Sequence, residues 1–541
     1  MWSQIKLYNY IFFRSGFQFQ NARPRKKEAA AGHTSPMKSL LERLFLGRTR
    51  PHPETKPRFP GPVSPEGLAR IFENCGDFTL RTVRVGGARG RLEAALCFLD
   101  GLVDGEAVSA DVLRPLTEEG RFGAAESPEE AAELLAEGLA WFCSARKRGS
   151  LDALAEDILD GCCAVVFRGT AVTFETRKPQ GRGVEKSEME KAVKGAKDAF
   201  TEVLRVNTAL VRQRLRSPDL RLVETDVGRR SRTRAAVVYI EGLTDRRVAE
   251  ELKARLDAVD IDGALTAGSL EEYLLPRLSP FPQLSVTERP DRFALELLEG
   301  RAGLLADGLP LGFLTQGTLA RQLKVTEDSA VHWLPASLLT LLRFGAMLLS
   351  VLLPALYVCV TVYHQEMLPA KLMLSVIRSK QDVPFSTAAE TLGMLLSFEL
   401  LQEAGLRLPK SVGETVSIIG ALIVGQSAVE AKVVSPIVVI VVALAGIAGY
   451  TMPDQDLAAA LRLCRFLLTV LSLLLGLFGL TAGLILLTYY LCTLESFGTA
   501  WLAPFCEGDA AGLLRSLLRP PLAWVKERPP ELHPENERNQ K

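Results

Sequence analysis

Phe466–Leu494 reads FLLTVLSLLLGLFGLTAGLILLTYYLCTL, without one charged side chain. Upstream, Val433–Pro453 is equally free of charge, and Ala336–Tyr363 is interrupted only by Arg343. Apolar runs of about 20 residues are long enough to cross a hydrocarbon core of roughly 30 Å as helices. Before Trp333 the charge density is ordinary. The pattern predicts a soluble region followed by a polytopic membrane region.

A chain of 541 residues has room for several domains. Its net charge of +1 lacks the basic excess of a nucleic-acid binder. Nine cysteines are scattered without a C-x-x-C pair, which argues against a zinc site or disulfide framework and suits a reducing compartment. Adjacent Cys162 and Cys163 lie in a strand-like apolar run. The short apolar run Tyr10–Phe13 does not make a secretory signal, so the N-terminal region is expected in the cytosol. Met37 stands as an alternative start, with 1–36 an extension.

The soluble half alternates helix and strand. Residues 1–65 read as a disordered extension ending in a Pro-rich linker. In 66–175, Ala94–Asp104 is a buried strand ending in a turn, Pro128–Lys147 an amphipathic helix capped by Ser127, and Gly161–Phe174 two strands parted by Gly169. A helical connector covers 176–216, with the helix itself over Lys186–Arg216. In 217–332, Tyr239-Ile240-Glu241-Gly242-Leu243-Thr244-Asp245 echoes Phe98-Leu99-Asp100-Gly101-Leu102-Val103-Asp104. The echo predicts two related α/β subdomains.

The membrane region, 333–505, holds five or six spans, near 336–363, 386–405, 414–431, 433–453 and 463–495. The last is either one tilted helix or two closely packed segments around Gly476, Gly479 and Gly483. Pro354 should kink the first. His364–Pro384 reads as an interfacial amphipathic connector. Residues 506–541 form a polar surface tail. Basic residues fall on both candidate sides (Lys371, Arg378 and Lys380 against Arg407, Lys410, Arg462 and Arg465) and leave topology open.

Enzyme signatures are missing: the five histidines do not pair at ligand spacing, and Gly181–Ser187 has the wrong spacing for a phosphate loop. No catalytic residue, metal or cofactor is expected. Carboxylates in spans are more informative, because lipid penalises them: Glu390, Glu399, Glu403, Glu414 and Glu430. Glu403 and Arg407 are spaced to pair on a helix. Glu399, one turn from Glu403, needs protonation or another cation, unless 399–407 is simply the wet end of a span. Gly413, Ser417, Gly420, Val424, Ser427 and Ala431 recur at helical spacing and form a face of mostly small residues. Such a face serves helix packing, or lines an aqueous path when copies surround an axis. Gln426 and Glu430 form a polar stripe on another face that needs protein or water.

Longer motifs carry a family likeness. Pro354–Val358, His364–Pro369, Val383–Phe385, Phe398–Pro409 and Ser417–Ala431 resemble the GerA-type spore germination receptor A subunits, as do Ile261–Gly263, Ser279–Gln283 and Thr287–Asp291. The likeness covers about 66–505. It implies a multi-pass protein of the spore inner membrane with a two-part cytosolic N-terminal domain. Its implied partners are further copies of itself in a ring, a transporter-like B subunit, a lipoprotein C subunit and membrane lipid. The ring would form a nutrient-gated cation channel. Lys432 stands where the family usually has glycine, Ser329-Ala330 follow Glu327-Asp328 where aromatics are usual, and Ala196 replaces a proline.

The expectation is therefore an α/β cytosolic region of two related subdomains, then an all-α membrane domain. The function expected is that of a non-enzymatic germinant-receptor channel subunit. The alternatives are a secondary transporter using Glu399 or Glu430, a membrane-tethered scaffold, and a sporulation-operon paralogue that amplifies germination without a sensor of its own.

Overall fold

The computed structural model describes residues 58–540, except 88–89, 118–124, 126, 140–143, 179–186, 188–189, 191–193, 276–278, 408–424 and 507–509. Most of the expected N-terminal extension thus lies outside the described residues.

Two five-stranded sheets organise the soluble half. The first holds β1 (Phe78–Gly87), β2 (Gly90–Leu99), β3 (Ala145–Arg148), β4 (Cys162–Val166) and β5 (Ala171–Glu175), in the order β1-β2-β4-β5-β3. The second holds β6 (Leu220–Val227), β7 (Thr233–Ile240), β8 (Ser285–Thr287), β9 (Gly303–Ala306) and β10 (Gly312–Leu314), in the order β6-β7-β9-β10-β8. The permutation is the same, and all neighbours are antiparallel.

The seven-residue echo falls at equivalent places. β2 ends at Leu99 and β7 at Ile240; each is followed by a glycine at positive φ, Gly101 at 88° and Gly242 at 71°. Each turn ends in an aspartate that caps the next helix. Asp104 accepts from Glu106 N at 3.0 Å and Asp245 from Arg247 N at 3.0 Å.

Strand alternation explains why both sheets are apolar on two faces. Ala94, Leu96, Cys163 and Val165 join one core with Val108, Val112 and Leu135. Ala95, Cys97, Leu99, Ala164 and Val166 join the opposite one with Leu68, Leu154 and Ile158. The second sheet is divided in the same way, Ala236 and Val238 packing on Leu210 and Phe293, Ala235 and Val237 on Leu252 and Leu270.

Two expected helices are shorter than the sequence pattern suggests. Ser127 does cap a helix at Pro128, accepting from Glu130 N at 3.2 Å, and the described helical turns cover Pro128–Leu134 and Leu135–Leu139. Ala145–Arg148 is the edge strand β3, with Arg148 paired to Asp157 at 2.7 and 2.9 Å. Among the described residues of the connector, the helix is Leu204–Arg214. Residues 194–203 are irregular, because the Asn207 amide accepts from Thr201 N at 2.7 Å and donates to Thr201 O at 2.6 Å. That helix belongs to the second sheet's core.

The helical half contains α1 (Trp333–Val362), α2 (Ala370–Lys380), α3 (Thr387–Arg407), α4 (Pro436–Gly449) and α5 (Gln455–Cys492). Among the described residues, α1 and α5 are long and apolar enough to cross a membrane; α4 is apolar but shorter. The expected span 414–431 lies largely outside the described residues. Pro354 is buried within α1, which continues through it.

α5 answers the question of one helix or two. Gly476 breaks it with φ 62° and ψ −138°, a conformation open to glycine. A Cβ on Gly479 would lie 2.1 Å from Leu471 O, and one on Gly483 would lie 2.7 Å from Leu468 Cδ2. Such contacts require the arms 455–475 and 477–492 to double back in close contact. Tyr363, just after α1, donates to Leu473 O at 2.6 Å and covers a carbonyl freed at the bend.

The tail is bound rather than loose. Leu532 is buried, Gln316 Nε2 donates to Leu532 O at 3.4 Å, and Glu535 N donates to Leu243 O at 2.9 Å. Residues 494–505, expected in the membrane region, also reach the soluble half: Trp501 Nε1 donates to Pro282 O at 2.7 Å.

Candidate functional site

The apolar helices enclose a set of polar groups. α3 turns Glu399 toward the first arm of α5, where Arg462 and Arg465, three residues apart, lie on one face. Glu399 Oε1 is 3.3 Å from Arg462 Nε, and Oε2 is 3.5 Å from Arg465 Nη2. By sequence both arginines count as flanking charges; Arg465 is instead only 3% exposed. The cation that Glu399 requires is supplied from another helix. Glu403, one turn on, is exposed, and the side chain of its expected partner Arg407 lies outside the described residues.

Glu390 sits in the first turn of α3 and is 3% exposed. Its Oε2 accepts from Ser435 N, the N-cap of α4, at 2.8 Å. The carboxylate thus lies at the N-terminal ends of two helices. Lys380 Nζ, at the end of α2, is 3.4 Å from Oε1. Of the polar stripe, Gln426 Nε2 donates to Glu430 Oε1 at 2.8 Å, and both residues are exposed. Ser427 is exposed as well. Gly413, Glu414, Ser417, Gly420 and Val424 lie outside the described residues.

Arg343, the lone charge in the first apolar run, is neutralised from the soluble half. It donates to Asp328 at 2.6 and 2.9 Å. Deeper in that half, the fully buried Glu296 is ringed by Arg321 at 2.8 Å, Arg292 at 3.1 Å and Arg301 at 3.5 Å. Burial pushes its carboxyl up, but the three guanidiniums outweigh it and hold the group at about 2. Nothing in a single sequence singles out this hub.

A cleft of 250 Å³ separates the second subdomain from the start of α5, with Glu190, Glu271, Glu288, Arg292, Asp454 and Asp456 in its walls. Burial, then the charges of Asp456 and Asp454, push Glu271 up to about 7. The soluble half and the first arm of α5 therefore meet across like charges.

Residues 66–531 match the family described as Bacillus/Clostridium GerA spore germination protein. This chain belongs to the GerA family. Among its relatives, the "Uncharacterized membrane protein YfkQ" of Bacillus subtilis (strain 168) is 36% identical, over 82% of this chain and 86% of that protein. "Spore germination protein KA" of the same organism is 31% identical, over 87% of each. A solved structure, the N-terminal domain of the A subunit of the Bacillus megaterium spore germinant receptor GerK3, is 27% identical. It covers 47% of this chain and 96% of its own, with a TM-score of 0.37.

Proposed function

We propose that this GerA-family chain is the A-type subunit of a germinant receptor, multi-pass in the spore inner membrane with its α/β half in the cytosol. Copies of it assemble as a ring, alongside a transporter-like B subunit and a lipoprotein C subunit, and the ring conducts cations once a nutrient is sensed. The observation that carries this reading is the Glu399–Arg462–Arg465 cluster, with Arg465 buried, between helices whose outer surface is apolar. Leu338, Leu342 and Leu348 on α1 and Phe478, Ile485 and Tyr489 on α5 are exposed, as lipid-facing side chains are. Charge within such a bundle supports a water-accessible path. The small-residue face of 413–431 supports its lining.

Purified full-length protein in a planar bilayer tests the reading. Discrete current steps in KCl, abolished by Gly420→Leu without loss of membrane insertion, are expected. Slow flux without steps would favour a secondary transporter instead. Unchanged current in Gly420→Leu would remove that face from the path.

A further inference from the structure

The end of the bundle away from the soluble half holds three oxygens whose hydrogen-bonding capacity the protein leaves open, although one of them faces the Lys380 ammonium. Tyr357 Oη from α1, Glu390 Oε1 from α3 and Ser435 Oγ before α4 are buried, and none has a close, well-aligned hydrogen-bond partner. They belong together: Tyr357 lies beside both Glu390 and Ser435, and Ser435 N is bound to the other oxygen of the same carboxylate. Apolar side chains, among them Leu395, Val434 and Val438, wall the group. A buried polar atom without a well-aligned partner is costly to the fold. Three together on separate helices point to a ligand.

The donor set selects the ligand's chemistry. One carboxylate and two hydroxyls offer oxygen lone pairs and a single negative charge. An anion would be repelled. Divalent ions ask for more ligands and more charge, and the described residues hold no cluster of three or more His, Cys, Asp or Glu side chains able to take a metal. We propose that Glu390, Tyr357 and Ser435 bind a small monovalent cation, and that the Lys380 ammonium competes with it.

Lys380 is placed for competition. Its Nζ stands 3.4 Å from Glu390 Oε1 and also donates to Thr387 Oγ1. It is carried by α2, which buries no residue and exposes Leu372, Leu374 and Ile377. A shift of α2 would withdraw the ammonium and leave the carboxylate to the ion. Ion occupancy and the position of this amphipathic helix are then linked. The proposal takes from the channel reading only that these helices lie in a bilayer.

The test is thermal unfolding of the purified full-length protein in detergent, in KCl, in NaCl and in N-methyl-D-glucamine chloride at equal ionic strength. The small cations should raise the midpoint, and the bulky one should not. Lys380→Met should lower the half-saturating cation concentration by about fivefold or more. Tyr357→Phe and Ser435→Ala should raise it, and Glu390→Gln should abolish the response. Because Glu390→Gln can fail to fold, Tyr357→Phe and Lys380→Met decide the matter. Equal midpoints in all three salts, for wild type and Lys380→Met alike, would overturn the site and leave its oxygens to water. A lost response in Lys380→Met would overturn the competition. Neither readout uses conduction, so the channel reading stands or falls separately.

Discussion

The Glu399 carboxylate bridges Arg462 and Arg465, at 3.3 and 3.5 Å, across two helices. Arg465 is the buried member, while the Glu399 side chain is 42% exposed. Removing one partner of a fully buried pair costs about 3–5 kcal/mol, and solvent at Glu399 lowers that toward about 1–3. Glu399→Gln should therefore destabilise the protein more than Glu403→Gln, the reverse of what helix spacing alone suggests. Thermal unfolding of both variants in detergent checks this. Equal losses would show that the arginines find other partners.

The two α/β subdomains are joined by a second ion pair. Arg212 Nε and Nη2 donate to Asp77 Oδ2 and Oδ1 at 2.8 and 2.9 Å, with both side chains 1% exposed. Asp77 precedes β1, whereas Arg212 lies on the Leu204–Arg214 helix of the second core. Asp77→Ala leaves a buried guanidinium without its carboxylate and should cost about 3–5 kcal/mol. Limited proteolysis should then cut between the subdomains more readily. Unaltered cleavage would mean that other contacts hold the junction.

Much of this architecture is legible in the sequence, for local reasons. Strand alternation, positive-φ glycines and capping aspartates act over a few residues, so the echo around Gly101 and Gly242 locates two equivalent turns. The connector helix is shorter than its apolar spacing implies because Asn207 bonds back to Thr201, a choice that such spacing does not record. Helix spacing likewise offers Glu403 and Arg407 as a pair, yet the cation for Glu399 comes from a helix some sixty residues on in the chain. Partners at such separation, Asp77 with Arg212 or Glu390 with Ser435, leave no periodic trace.

At the hairpin bend, Gly479 and Gly483 face different obstacles. A Cβ on Gly479 would meet the Leu471 carbonyl, which is backbone and cannot rotate away. On Gly483 it would meet the ends of Leu468 and Leu471, which can repack. Gly479→Ala should therefore reduce folded protein in membranes more than Gly483→Ala, the latter costing about 1–3 kcal/mol of overpacking. Fluorescence-detected size exclusion of the two variants measures this. A milder effect at Gly479 would contradict the close approach of the arms.

Lys432 adopts φ 54°, just past a helical turn ending near Ala431. The left-handed conformation costs a non-glycine residue about 1–2 kcal/mol. Its ammonium lies 2.6 Å from Asp382, but both side chains are more than half exposed, and such pairs contribute about 0–1 kcal/mol. The backbone effect is the larger, so Lys432→Gly should stabilise the protein slightly. A lower unfolding midpoint in low salt would show that the ion pair matters more.

Glu271 makes stability depend on pH in a definite direction. Its folded value, about 7, lies above the ordinary 4.5, so between those values the folded protein holds a proton that the unfolded chain releases. The stabilisation is fully present below about pH 4.5 and is lost as the pH rises past about 7. Above that, Glu271 confronts Asp454 and Asp456 as a third negative charge, with Glu190 and Glu288 in the same cleft and Arg292 opposing them. Glu271→Gln should leave stability at pH 5 nearly unchanged and raise it at pH 8 by about 1–2 kcal/mol, since a tenfold change in proton affinity is worth about 1.4 kcal/mol and part of the group is open to solvent. Hydrogen exchange over Ala267–Leu274 should slow at pH 8 in the variant, because repulsion across the cleft is what loosens that helix. Wild type and variant with parallel pH profiles would show that the charges of Asp454 and Asp456 do not reach Glu271.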